Sequence, residues 1–350
     1  MITARKRIAF CAIPSLALAL VVFVGWWFFF PKRGSALSRD AWERTYWERH
    51  LVVPALGPRD GGFRGERLFP KSRHPATVWC EPPNSIRGIL EIDQVGVQRV
   101  ASSTPPKFSI LCLGGSVAMG TYASTTEKTY FGQLALMLES NNQPASLTVL
   151  AAGAWKAAQD AAGLEHMLQT GVKPDLIIFL NGLNDLTNGA RADTLFGQPV
   201  ATNDGTDWTK LYHSHDYKER VSAYLRIMQA VISIARDHHA SILIALQPAL
   251  FERQPLSNVE RQLLWASLAP HESQQALEES YAAMRSGLSQ MADNETVYFV
   301  DCSRIFDGET STTFTDMWHF SDFGHEKLAE VLAPQIRKAL DLRSSTTLAQ

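Results

Sequence analysis

Five short apolar runs alternate with segments of helical pattern from residue 108 onward, and this alternation constrains the fold more than any other feature. The runs span residues 108–113, 147–151, 176–180, 241–246 and 296–300. The helical patterns span about 125–140, 157–170, 218–239, 258–292 and 322–342, and the fourth contains Pro270 as a candidate break. This alternation predicts right-handed βαβ crossovers and an α/β fold whose parallel five-stranded sheet is covered by helices on both faces.

The composition excludes several classes of protein. A chain of 350 residues with 45% hydrophobic and 19% charged residues is globular rather than disordered. Its formal net charge of −2 gives no reason to expect a nucleic-acid partner. The four cysteines lack the close paired spacing of a zinc site or of a dense disulfide framework.

Residues 8–30 form an unbroken uncharged run that follows three basic residues and precedes two more. As a helix the run is about 34 Å long, enough to cross a hydrocarbon core of about 30 Å. A cleaved signal peptide is the competing interpretation, but its apolar region is usually ~7–15 residues long and ends in small residues. Here the run ends in Trp26, Trp27 and three phenylalanines, which favours a single-pass membrane anchor.

The basic residues around this run predict its orientation and the environment of the remaining chain. Their excess before the span favours a cytoplasmic N-terminus and an extracytoplasmic (periplasmic or extracellular) location for the rest. In that compartment Cys80 and Cys302 form either a disulfide or two separate thiols. The sequence thus divides into an anchor (1–34), an extension packed beside the main domain (35–107), the main domain (108–343) and a tail (344–350).

Polar or small residues follow three of the apolar runs directly. The first run ends in Gly114, Gly115 and Ser116, the second leads to Gly153, and the third leads to Asn184 within Gly-Leu-Asn-Asp. Glycines at a strand's end allow a tight turn and bring backbone N–H groups close to a ligand. Because open α/β sheets bind ligands at the carboxyl ends of their strands, these residues are candidates for one site.

Asp316 and His319 lie just before the last helical segment. An Asp three residues before a His can hold one imidazole nitrogen, which leaves the other nitrogen to take a proton from a serine. His325, inside the helical segment, is interpreted as a surface or packing residue.

These four stretches, in this order, resemble the SGNH hydrolases, also called the GDSL esterase/lipase family, over about residues 108–342. The resemblance implies the three-layer, flavodoxin-like SGNH hydrolase fold. One position departs from the pattern, because Gly115 stands where the family's namesake motif has Asp before the serine.

The resemblance also implies roles for individual residues. Ser116 would be the nucleophile, His319 the base and Asp316 the group that orients the imidazole. The oxyanion hole would comprise the N–H groups of Ser116 and Gly153 and the side-chain amide of Asn184. Such an enzyme needs no metal and no organic cofactor.

The expected function is that of a membrane-anchored serine esterase that removes O-acyl groups, above all O-acetyl groups, from a carbohydrate or another ester. The expected partners are therefore a small-molecule or polysaccharide ester and a membrane, contacted through residues 8–30. An O-acyltransferase acting on an envelope polysaccharide would use the same triad. A catalytically silent carbohydrate-binding or assembly protein would have no reason to retain Ser116, Asn184, Asp316 and His319.

Overall fold

A twisted sheet with helices on both sides forms the body of the protein. The computed structural model describes residues 72–74, 78–80, 85–87, 90–92, 97–187, 216–267 and 273–348. The strands are β1 (Ser72–His74), β2 (Val78–Cys80), β3 (Ser85–Arg87), β4 (Leu90–Ile92), β5 (Gln98–Ala101), β6 (Phe108–Gly114), β7 (Ala145–Ala151), β8 (Leu176–Asn181), β9 (Ser241–Leu246) and β10 (Val297–Asp301).

The helices follow the strands in the order that the sequence predicts. They are α1 (Tyr130–Ser140), α2 (Ala157–Gln169), α3 (Leu183–Thr187), α4 (Tyr217–Asp237), α5 (Asn258–Ser267), α6 (Gln274–Met291) and α7 (Asp322–Leu348). The helical pattern at 258–292 is indeed divided, into α5 and α6, and α7 continues past the predicted end at residue 342.

The main sheet has the strand order β10-β9-β8-β6-β7-β5. Strands β6 to β10 pair with one another in parallel. Counted along the chain from β6, these five have the order 2-1-3-4-5 of flavodoxin-like sheets, in which the connections reverse direction between the first and third strands. That switch point, between β6 and β8, is where such sheets bind ligands.

The crossovers divide the helices into two layers. The crossover through α1 runs from β6 toward one edge of the sheet, whereas those through α2, α4 and α6 run toward the other edge. Because such crossovers are right-handed, α1 lies on the opposite face from α2, α4 and α6. Helix α7 packs against α1, and α4 packs against α2 and α6. The two faces of β8 and β9 are therefore covered, and every residue of both strands is buried.

The sheet differs from the prediction at one edge. The five predicted parallel strands are confirmed, each boundary within two residues, but the sheet is mixed because β5 pairs antiparallel with β7. Strand β5 comes from the segment predicted to be an extension. Its pairing partners, Ser146–Val149, are far away in the sequence, so the pattern of the segment itself does not show that this strand joins the main sheet.

The predicted membrane anchor, residues 8–30, lies outside the described residues. Within the ranges that the structure describes, no helix is both long enough and apolar enough to cross a membrane.

The two cysteines with described side chains are buried free thiols. Cys112 lies inside β6, and burial raises the pKa of its thiol to about 12. Burial also raises the pKa of the Cys302 thiol. Of the two alternatives left open for Cys302, the structure contains the free thiol, and neither cysteine provides a thiolate near neutral pH.

Candidate active site

Two glycines at the end of β6 allow the chain to turn close to β8. Gly114 has a φ of +154°, and a Cβ there would lie 2.2 Å from the carbonyl oxygen of Leu180. A Cβ on Gly115 would lie 2.6 Å from Nδ2 of Asn184. A side chain at either position would therefore displace β8 or the Asn184 amide. The Gly-Gly pair places Ser116 directly at the switch point of the sheet.

We call residues 114–121 the serine turn, and backbone hydrogen bonds hold it. The N–H of Met119 donates to the carbonyl of Gly115 at 3.0 Å, and the N–H of Thr121 donates to the carbonyl of Ser116 at 3.1 Å. These bonds form a tight turn around Ser116, which is only 8% exposed.

We call residues 313–321 the histidine loop, and the carboxylate of Asp316 organises it. Oδ1 of Asp316 accepts hydrogen bonds from the N–H groups of Trp318 at 2.7 Å and His319 at 2.8 Å. Oδ2 is 2.7 Å from Nδ1 of His319. One side chain thus folds the loop and orients the imidazole that the loop carries.

The other imidazole nitrogen faces the serine turn. Nε2 of His319 is 2.6 Å from Oγ of Ser116, although the two residues are 203 positions apart in the sequence. Because the Asp316 carboxylate accepts the Nδ1 proton, Nε2 is the nitrogen that accepts the serine hydroxyl proton. In this arrangement a base lies against a hydroxyl and is itself held by a carboxylate, which is the geometry required to activate an oxygen nucleophile.

Asn184 and Gly153 follow the strands on either side of β6. Asn184 is 7% exposed, and its Nδ2 donates a hydrogen bond to the carbonyl of Trp155 at 2.9 Å. Gly153 is buried in the turn after β7, and the end of β7 is tied to β6 because the N–H of Ala152 donates to the carbonyl of Gly114 at 3.3 Å. The predicted residues Ser116, Gly153 and Asn184 therefore lie just after the carboxyl ends of the adjacent strands β6, β7 and β8.

Asp185, the neighbour of Asn184, braces the same region. Its carboxylate accepts the N–H of Ala157 at 3.1 Å, at the N-terminus of α2, where a negative charge is favourable. This bond fixes the short helix α3, which carries Asn184, against α2.

Beneath α3 lies a buried polar cluster that the sequence did not reveal. Nδ2 of Asn181 donates to Oδ2 of Asp160 at 2.8 Å, and the hydroxyl of Tyr224 donates to Oδ1 of Asn181 at 3.0 Å. Burial raises the pKa of Asp160 well above its ordinary value, and the negative charge of Asp185 raises it further. The cluster anchors the carboxyl end of β8, from which α3 begins.

A buried ion pair is hydrogen-bonded to the start of the histidine loop. The sequence did not predict this ion pair. Arg253 and Glu260 are both at most 1% exposed and form a salt bridge. Oε1 of Glu260 accepts the N–H groups of Thr313 at 3.0 Å and Phe314 at 3.1 Å. The only local signal for this role is Ser257, three residues before Glu260, since Ser-x-x-Glu is a helix-capping pattern.

Comparison with known proteins identifies the family. A model of the GDSL-like lipase/acylhydrolase family matches residues 112–327, which is more than half of the chain. The chain therefore belongs to the GDSL-like lipase/acylhydrolase family, a class of hydrolases that act on esters. No curated protein matches the chain.

Several solved structures are similar to this chain at low identity. The acetylxylan esterase Axe2 from Geobacillus stearothermophilus is 13% identical, with a TM-score of 0.42 over 66% of this chain and 94% of that one. The lipase Lip_vut3 from a goat rumen metagenome is 17% identical, with a TM-score of 0.46 over 65% and 97%. The acetyl xylan esterase AlAXEase is 16% identical, with a TM-score of 0.40 over 65% and 99%.

Proposed function

We propose that this chain is a serine esterase with Ser116 as nucleophile, His319 as general base and Asp316 as the residue that orients the imidazole. One observation carries the proposal: hydrogen bonds link Ser116 Oγ to His319 Nε2 at 2.6 Å and His319 Nδ1 to Asp316 Oδ2 at 2.7 Å. Nucleophile and base are within hydrogen-bond reach, and a third group holds the base.

In the first step Oγ of Ser116 attacks the ester carbonyl carbon while its proton moves to Nε2 of His319. A neutral hydroxyl is a weak nucleophile, so the reaction requires this base. The Asp316 carboxylate keeps the Nδ1 proton in place and stabilises the imidazolium that forms.

The carbonyl oxygen becomes an oxyanion in the tetrahedral intermediate. The proposed donors are the N–H groups of Ser116 and Gly153 and the side-chain amide of Asn184. Two observations support them: the three residues follow adjacent strands, and Nδ2 of Asn184 lies 2.6 Å from the site of a Cβ on Gly115, beside the Gly115–Ser116 peptide.

The intermediate then collapses as the imidazolium donates its proton to the leaving alcohol, and the acyl group stays on Ser116 as an ester. In the second step His319 removes a proton from water as the water oxygen attacks the acyl carbon. The second tetrahedral intermediate then collapses: the bond from the acyl carbon to Oγ of Ser116 breaks, the imidazolium returns its proton to Oγ, and the acid is released. All proton transfers are accounted for by His319, so the cycle closes without a metal or an organic cofactor.

The proposed substrate is an O-acyl ester of a carbohydrate, with the O-acetyl ester first, and the proposed location is a membrane with the catalytic domain outside the cytoplasm. The apolar run at residues 8–30 and its flanking basic residues support this location. An esterase held there would meet the acylated polysaccharides of the cell envelope.

The proposal is tested by measuring ester hydrolysis with the full chain in detergent, with aryl acetate, aryl octanoate and an acetylated xylan as substrates. Acetate release from the polysaccharide, abolished by Ser116→Ala, is the expected result. Transfer of acetyl to an added polysaccharide in place of acetate release would indicate an acyltransferase. Activity that survives Ser116→Ala would overturn the assignment of the nucleophile.

A further inference from the structure

The first turn of α7 is bonded to the segment that follows the serine turn. The carboxylate of Asp322 accepts the N–H of Ser124 at 2.7 Å and its hydroxyl at 2.5 Å. Nε2 of His325 lies 3.1 Å from the carbonyl oxygen of Thr121, and because that oxygen only accepts, Nε2 is the donor. These three bonds join the helix after the histidine loop to the chain after Ser116.

The bond from His325 continues to the nucleophile itself. The carbonyl oxygen of Thr121 accepts the hydrogen bond from His325, and the N–H of Thr121 donates a hydrogen bond to the carbonyl of Ser116 at 3.1 Å. His325 is only 1% exposed, and burial lowers the pKa of its imidazole to about 4. It is therefore a neutral, fixed donor near neutral pH. Of its two predicted roles, surface or packing residue, the structure contains the packing one, and the hydrogen bond to Thr121 adds to it.

Tyr122 connects this segment to the imidazole of His319. The two rings meet edge to face with centroids 5.1 Å apart and an interplanar angle of 87°. Tyr122 has a φ of +75°, a conformation that costs a non-glycine residue about 1–2 kcal/mol. Such a conformation persists only where the surroundings fix it, and here the bonds to Thr121 and Ser124 on either side supply that constraint.

Phe320 connects the two histidines from the other side. It follows His319 in the chain, and its ring packs on the ring of His325 with centroids 4.9 Å apart. A Cβ on Gly324 would lie 2.6 Å from Cβ of Phe320, so the glycine in α7 makes room for this contact. The contacts form a closed ring through His319, Phe320, His325, Thr121 and Tyr122.

We propose that His325 and Tyr122 are positioning residues that hold the imidazole of His319 at its working distance from Ser116. This inference rests on the proposed esterase function. His325 fixes the serine turn through Thr121, and Tyr122 packs edge to face with the imidazole, so both are proposed to act through Ser116 and His319 rather than on the substrate. Misplacement of reacting groups by about 1 Å typically lowers a rate by about 10²-fold, so a few weak contacts can have a large effect here.

The test compares two replacements of His325 in the full chain. His325→Gln retains an N–H donor close to the position of Nε2, whereas His325→Leu removes the donor and keeps the side chain apolar. We expect His325→Leu to lower kcat for an aryl acetate about tenfold or more with KM nearly unchanged, and His325→Gln to restore most of that loss. Tyr122→Leu, which removes the ring, should lower kcat in the same way with KM again nearly unchanged.

A stability control separates positioning from general destabilisation. Leu138 is fully buried near the C-terminal end of α1, the end of the helix that leads into β7 rather than into the site, and Leu138→Ala typically costs about 2–5 kcal/mol. This variant should lower the melting temperature and leave kcat unchanged at 25 °C. If His325→Leu lowers the melting temperature without lowering kcat, as Leu138→Ala is expected to do, the proposal is wrong. It is also wrong if the kcat of His325→Gln is no higher than that of His325→Leu. Should His325→Leu not fold, Tyr122→Leu alone decides in the same way.

A second readout does not depend on esterase activity. The proton that His319 Nδ1 shares with Asp316 should give a downfield proton NMR resonance, which His319→Asn removes and thereby assigns. The proposal predicts that His325→Leu shifts or broadens this resonance and that His325→Gln preserves it. An inactive wild-type protein that shows this pattern would refute the esterase proposal and support the positioning role. An unchanged resonance in His325→Leu would refute the positioning role.

Discussion

The serine turn is held by backbone hydrogen bonds within the turn, whereas the histidine loop combines backbone hydrogen bonds with bonds to two carboxylates. Around Ser116 the bonds run from the N–H groups of Met119 and Thr121 to carbonyls within the same turn. Around His319 they converge on two carboxylates, Asp316 inside the loop and Glu260 from α5. The two regions that form the site are therefore stabilised by different kinds of hydrogen bond.

This difference indicates where the site is vulnerable. A turn built from backbone bonds depends on glycines and on the strand that precedes it, so many of its side chains can change without loss of its path. A loop built on carboxylates depends on a few side chains, because an N–H group that loses its buried acceptor is left unsatisfied, which costs about 1–3 kcal/mol. Apart from Ser116 itself, substitutions in the histidine loop should therefore have larger effects than comparable ones in the serine turn.

Among the variants that compare the two regions, Asp316→Asn gives the largest expected effect. The amide preserves the shape of the side chain but presents N–H groups toward Nδ1, so the imidazole adopts the wrong tautomer for accepting the serine proton. The loss in kcat should be about 10⁴-fold, measured with an aryl acetate at pH 7.

Asp293→Asn is the matched control. The carboxylate of Asp293 also accepts several backbone N–H groups, but it lies in the turn that precedes β10, away from the site. Its replacement should reduce stability while kcat stays at the wild-type value. An equal loss of kcat in both variants would mean that the loss in Asp316→Asn reflects general destabilisation and not the tautomer of His319.

Replacement of Glu260 should separate stability from activity. Both Glu260→Ala and Glu260→Gln leave the Arg253 charge buried without its partner, and each should lower the free energy of unfolding by about 3–5 kcal/mol. Only Glu260→Ala also removes the acceptor for Thr313 and Phe314, so only this variant should lower kcat, by about tenfold. Urea unfolding and kcat at 25 °C measure the two effects, and equal kcat in the two variants would show that the ion pair does not position the loop.

Asn184→Ala tests the side of the site that the backbone organises. Loss of one oxyanion donor typically lowers kcat about 10²–10³-fold, and KM should change little because the donor acts mainly in the transition state. The bond to Trp155 is lost as well. Asn184→Asp keeps the shape without the N–H donors and should be at least as impaired, while activity in Asn184→Asp would exclude the amide as a donor.

The smallest expected effect is the pH dependence of the free energy of unfolding that arises from His325, which bonds the segment after the serine turn to the helix after the histidine loop. The pKa of His325 falls from 6.5 to about 4 in the folded chain because the ring is buried, although the Thr121 carbonyl and the Asp322 carboxylate oppose this and His319 adds to it. Between these values the unfolded chain binds a proton that the folded chain does not. The free energy of unfolding must therefore fall as the pH decreases from about 6.5 to about 4, by up to about 3 kcal/mol.

Urea unfolding at pH 7 and pH 4.5 measures this dependence. His325→Gln has no group to titrate at this position, so its stability should fall less over the same interval. Identical pH dependence in the wild type and His325→Gln would show that His325 is not the buried group responsible.

The sequence predicted the parallel strands and the candidate site residues because both have local patterns. An apolar run followed by Gly-Gly-Ser indicates a strand and a turn without knowledge of the rest of the chain, and Asp316 lies only three residues from His319. The carboxyl ends of the strands then place Ser116 and Asn184 on one edge of the sheet. Their catalytic roles remain predictions that the experiments above test.

The missed features depend on contacts between distant parts of the chain. The place of β5 in the main sheet follows only from its pairing with β7. The ion pair of Arg253 with Glu260 matters because Glu260 bonds a loop more than fifty residues later. In the sequence His325 has no feature that separates it from other helical residues, because its hydrogen bond to Thr121 exists only in the folded chain. Sequence patterns report the local backbone, and these support contacts arise only from the tertiary fold.

The most direct test of the account is covalent labelling of the hydroxyl that His319 is proposed to activate. The full chain and His319→Gln are incubated with a fluorophosphonate, and the modified peptide is identified by mass spectrometry over a time course. The account predicts a single adduct on Ser116 in the wild type and labelling slower by at least about 10³-fold in His319→Gln. Modification of a different residue, or equal labelling rates in the two proteins, would contradict it.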